Sequence, residues 1–129
     1  MKSSLLNPSD MPSVSSAREN PCFTTDPTIG ALDVFADDGV SYLLPYAQFL
    51  YAERKPNPAL EKQPDAPPEK MLIHFARADV IVLGSALKRL ETEIQKYELK
   101  FVKSADRRLA AMLHPHIAAV TIALTKEVA

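Results

Sequence analysis

The residues that could do chemistry in this chain are few and scattered. His74, His114 and His116 are its only histidines and Cys22 its only cysteine. His114-Pro115-His116 sets two imidazoles either side of a proline, and imidazole is the commonest metal ligand. A structural zinc site takes four Cys or His ligands at set spacings. Here the cysteine lies far off near the N-terminus and no HExxH occurs, so neither a metal nor a cofactor is expected. Asp37 and Asp38 resemble an acid/base pair, but their place before Gly39 makes them turn residues. Glu91 and Glu93, two positions apart on a helix, diverge. Ser85 follows Gly84 without a G-x-S-x-G elbow and reads as a helix cap. Gly30, Gly39 and Gly84 are unclustered, which excludes a phosphate-cradling loop. Cys22, beside Pro21, has no activating neighbour in the sequence.

Two looser constellations remain. Tyr42, Tyr46 and Tyr51 with His74 would line the pocket of a small enzyme or ligand-binding protein. Lys100, Lys103, Arg107 and Arg108 form the one basic cluster, with Phe101 between the lysines, a pattern that can hold single-stranded nucleic acid. A net charge of −1 and a footprint this small argue against nucleic acid, and Phe101 is expected in the core. The composition has no catalytic constellation, so the reading leans away from an enzyme.

The elements that must position these residues follow from composition and periodicity. With 129 residues, 47% hydrophobic and 24% charged, the chain has the make-up of one packed domain. No apolar run is long enough to span a bilayer, and the opening Met1-Lys2-Ser3-Ser4-Leu5-Leu6-Asn7-Pro8 has no signal-peptide h-region. With a lone cysteine, the expectation is a soluble cytoplasmic protein away from membranes. Residues 1–28, punctuated by Pro8, Pro12, Pro21 and Pro27, read as a disordered tail, and residues 29–129 as a single domain. A proline-rich loop over 56–69 interrupts it, with Pro56, Pro58, Pro64, Pro67 and Pro68 excluding a helix; it is expected extended and solvated.

Leu32–Ala36 and Val40–Leu44 predict a hairpin about Asp37-Asp38-Gly39. Residues 46–53 are ambiguous and lean towards a strand. Met71–Ala76 and Asp79–Leu83 predict a second hairpin joined at Arg77-Ala78. Leu87, Leu90, Ile94 and Tyr97 form the apolar stripe of a helix over 86–98, with Glu91 and Glu93 facing water. A strand over 99–103, a short helix over 106–113 stopped by Pro115, and a final strand from Ala118 complete the chain. The fold class is α+β: a small antiparallel β meander, one main amphipathic helix and one or two C-terminal strands.

The second hairpin carries the functional expectation. Met71, Ile73 and Phe75 point one way, with Leu72 and His74 opposite; Val80 and Val82 oppose Ile81 and Leu83. A strand pair apolar on both faces must be covered on both. One helix covers part of one, which leaves the other to the 106–113 segment or to another subunit. The leading expectation is a non-enzymatic binding or adaptor domain that forms a homodimer or takes a protein partner through Leu72, Ile81 and Leu83.

Overall fold

A computed structural model describes residues 20–125. The fold is α+β. In chain order its strands are β1 (Phe23–Thr25), β2 (Ala31–Phe35), β3 (Ser41–Pro45), β4 (Phe49–Pro56), β5 (Glu69–Phe75), β6 (Ala78–Ser85), β7 (Leu99–Lys103) and β8 (His116–Leu124), with one helix, α1 (Lys88–Gln95). They form two four-stranded sheets, ordered β1-β7-β2-β3 and β4-β5-β6-β8. All neighbours are antiparallel except β2 and β7, which run parallel.

The first hairpin turns at Asp37-Asp38-Gly39 as its residues require. Gly39 takes φ 91°, and the Asp38 carboxylate accepts the Val40 N–H at 2.9 Å. Pro45, at the end of β3, brings no N–H to the ladder, and there the chain leaves the first sheet. Tyr46–Gln48 makes one 3₁₀ turn and β4 begins the second sheet. Hydrophobic patterning carries no mark of this partition into two sheets. From β4 the meander β4-β5-β6 is continuous, and β8 returns beside β6.

Both inner faces and α1 enclose one core, with Leu32, Val34 and Val102 from the first sheet and Met71, Ile73, Val80, Val82 and Val120 from the second. Leu87, Leu90 and Ile94 supply the helix side of it. Gly84 sits where β6 bulges against β8. A Cβ there would collide with the His116 carbonyl oxygen, so no larger residue allows this approach.

Several expectations need correction. The tail reading of 1–28 fails over 20–28, where β1 pairs with β7 and Cys22 is fully buried in the core; residues 1–19 lie outside the described residues. The helix is shorter than 86–98 because Ala86 (φ 56°) and Tyr97 (φ 59°) bracket it in left-handed conformation. Ser85 ends β6 and caps nothing; the Glu69 carboxylate of β5 accepts the Leu87 N–H at 2.8 Å. At the other end, Tyr97 N–H bonds to Ile94 O and Glu98 N–H to Glu93 O, the paired pattern usually built on glycine. Tyr97 accepts that strain while its ring stacks on Tyr46 at 5.1 Å, 49% exposed rather than inside the helix stripe. Glu93 is buried between Arg89 (2.9 Å) and Lys96 (3.3 Å) instead of facing water. The 106–113 helix reduces to a 3₁₀ turn, Arg107–Leu109, capped by Asp106; so short a segment does not sustain helix nucleation.

Candidate functional site

The outer face of the β4-β5-β6-β8 sheet gathers the residues that the hairpin pattern singled out. Register places them in cross-strand rows. The first runs Tyr51, His74, Asp79, Ala123; the second Glu53, Leu72, Ile81, Thr121; the third Lys55, Lys70, Leu83, Ala119. Leu72, Ile81 and Leu83 are half-buried, lie outside the core cluster and share this one face. Alternation does this: along β5 and β6 every second residue is buried, and the residues between them point outward.

The first row holds the densest polar cluster. His74 Nδ1–H donates to Asp79 Oδ1 at 2.8 Å, and the Tyr51 ring stacks on the imidazole at 4.2 Å. His74 Nε2 is buried beneath that stack and has no hydrogen-bond partner among the described residues. A carboxylate on Nδ1 fixes the ring. No nucleophile completes the row, whose other member is Ala123. The sequence pattern does not single out Asp79, for a definite reason. A turn at Arg77-Ala78 pairs Asp79 with Ala76, whereas the observed turn at Ala76-Arg77 pairs it with His74. A one-residue slip hides the contact.

The third row runs into a cleft of about 370 Å³. Leu83 and Ala119 are on its floor, Pro67 and Pro68 form one wall, and Arg107 and Ala110 the other. The proline-rich segment making the first wall is mostly exposed, as expected of a solvated loop, but it turns through a 3₁₀ helix at Pro58–Glu61 instead of running extended. Buried Asn57 ties its ends together: its side-chain amide donates to Pro67 O at 2.8 Å, its Oδ1 accepts from Ala59 N, and its backbone N–H donates to Pro68 O. Arg107 Nη2 bridges the mouth to the Asp65 carbonyl (2.7 Å) and carboxylate (3.2 Å).

The other constellations come apart. Of Tyr42, Tyr46, Tyr51 and His74, only the last two meet. Tyr42 lies on β3 of the other sheet, and Tyr46 is buried with its hydroxyl donating to Leu99 O at 2.6 Å; desolvation by that burial pushes the phenol well above its ordinary value. The basic residues are divided as well: Arg107 is held by Asp65 and Arg108 by Asp106 (2.9 Å), while Lys100 and Lys103 stay on β7. Phe101 is half-buried on the outer side of the first sheet, edge-on to Phe35 at 5.7 Å, rather than in the core. His114 is exposed and His116 buried, its Nε2–H donating to Ala105 O at 3.1 Å, so the two imidazoles do not converge. Burial pushes the Cys22 thiol up, against the opposing effect of the Ile117 N–H that it accepts.

No protein-family model matches the chain. No curated protein and no solved structure is significantly similar to it.

Asp37 also does more than shape its turn. It exchanges backbone and side-chain bonds with Val120 at the free edge of β8: Asp37 N–H donates to Val120 O (2.9 Å), and Val120 N–H donates to the carboxylate (3.1 Å). The same carboxylate accepts the Ser104 hydroxyl at 2.8 Å. Farther along that edge, Ile117 is met by Cys22 Sγ and the Ala105 N–H. Thus the β8 edge is tied to the first sheet, and the open apolar surface of the second sheet is its outer face.

Proposed function

We propose that this chain is a non-enzymatic binding or adaptor domain that associates with a second copy of itself through the outer face of the β4-β5-β6-β8 sheet. The supporting observation is the direct cross-strand pair Leu72–Ile81, flanked by Leu83 and by Tyr51, on the face opposite the core. Burying a few hundred Å² of apolar surface at about 25 cal/mol per Å² favours association by several kcal/mol before the entropy of association is charged. A two-fold pair is the simplest closed arrangement for one self-complementary patch. Sedimentation velocity across a concentration series tests the reading. A reversible shift from monomer to dimer supports it, and a single monomer boundary throughout rejects it.

A further inference from the structure

The cleft at the Leu83 end of the same face has the features of a small-molecule site, and this inference does not depend on self-association. Its volume of about 370 Å³ falls in the range of ligand pockets. Alanines at 66, 110, 118 and 119 keep it open, and prolines line one wall, so an apolar body loses little by entering. The wall is held in place beforehand. The segment from Pro56 to Glu69 contains five prolines in fourteen residues, which reduces the entropy of ordering it. Asn57 closes its base from a buried position. A preformed wall lowers the cost of binding.

Two polar groups in the lining are unspent. Ser85 lines the cleft, and its hydroxyl has no hydrogen-bond partner among the described residues. Arg107 uses only Nη2 on Asp65, which leaves Nε and Nη1 without partners among the described residues. Arg107 is the one cation in the lining, and its pair with Asp65 is solvent-exposed, hence weak and easily exchanged. A guanidinium with free donors at the rim of an apolar cleft suits a carboxylate. We propose that this cleft binds a small organic acid with an apolar body, the body over Leu83 and Ala119, its carboxylate on Arg107 and a further hydrogen bond to Ser85.

The test uses the full chain, isotope-labelled for NMR, titrated with 2-naphthoate and with its neutral counterpart 2-naphthamide. Saturable shifts at Leu83, Ser85, Ala118 and Ala119, with the acid bound more tightly than the amide, are expected. Arg107→Gln should weaken the acid about tenfold and leave the amide unchanged. Asp65→Asn, which releases Arg107 from its carboxylate, should tighten the acid. A merely structural role for the ion pair predicts loss in both variants. Ala119→Leu should abolish both probes while the thermal midpoint holds. The proposal is overturned by shifts absent from the cleft at millimolar probe, by equal affinity for acid and amide, or by weakened acid binding in both charge variants. Ile81→Asp, which breaks the self-association reading, should leave the titration intact, so the two proposals fail separately.

Discussion

The two faces of the β5–β6 hairpin are almost equally apolar in sequence and differ sharply in what covers them. The inner residues Met71, Ile73, Val80 and Val82 are wholly buried under the first sheet and α1. The outer residues Leu72, Ile81 and Leu83 are half-buried, and among the described residues the proline-rich segment and the residues after β7 fold over the Leu83 end. The contrast separates apolar residues that hold the fold from apolar residues that are free to do something else.

The largest expected effect sharpens that contrast directly. Ile73→Ala should cost about 2–5 kcal/mol, because the site is closed and can relax only partly. Ile81→Ala, measured on the monomer, should cost roughly 1 kcal/mol or less, since its surface is already in part with water. Urea midpoints check both, and equal losses would mean that the outer face is core.

Next is the edge that confines the open surface to one face. Asp37→Ala leaves the Val120 N–H without its carboxylate and releases Ser104, so a loss of about 1–3 kcal/mol is expected in the same measurement. Amide exchange at Val120 should rise relative to Ile73. Unchanged exchange there would show that β8 needs no staple.

How much of this was legible beforehand depends on whether local chemistry or tertiary pairing decides. The hairpin about Gly39, the strand over 99–103 and the inner and outer alternation of β5 and β6 follow from turn chemistry and period. The Leu72, Ile81 and Leu83 face follows from that same alternation. The rest depends on partners remote in sequence. Cys22 and β1 look like tail because their core and their strand partner lie some eighty residues on. Asn57 organises a proline-rich loop through carbonyls that composition does not reveal. The His74–Asp79 pair depends on a register that shifts with one turn residue.

Tyr46 gives a smaller effect on the inner side. Tyr46→Phe removes the bond to Leu99 O and should cost about 1 kcal/mol at neutral pH. Its phenol and the Cys22 thiol are both raised by burial. Groups raised in the folded state contribute stability that is complete below their unfolded values and lost as pH climbs towards the folded ones. The urea midpoint should therefore decline above about pH 9–10, and Tyr46→Phe should flatten the upper part of that decline. A decline that begins below pH 8 would assign it to other groups.

The smallest effect belongs to the helix surface. Glu91→Ala removes a partly exposed pairing with Arg54 at 3.6 Å and should cost roughly 0.5 kcal/mol or less. Leu90→Ala on the buried side should cost about 2–5 kcal/mol. Coincident urea midpoints would misassign the helix face.

The most direct test of the central claim is light scattering on Ile81→Asp beside the wild type at about 100 μM, a concentration that populates even a weak dimer, with circular dichroism on both. A wild-type dimer and a folded, monomeric variant are expected, because a charge on the open face blocks association without entering the core. A wild type that scatters as a monomer, or a variant that loses its fold, would contradict it.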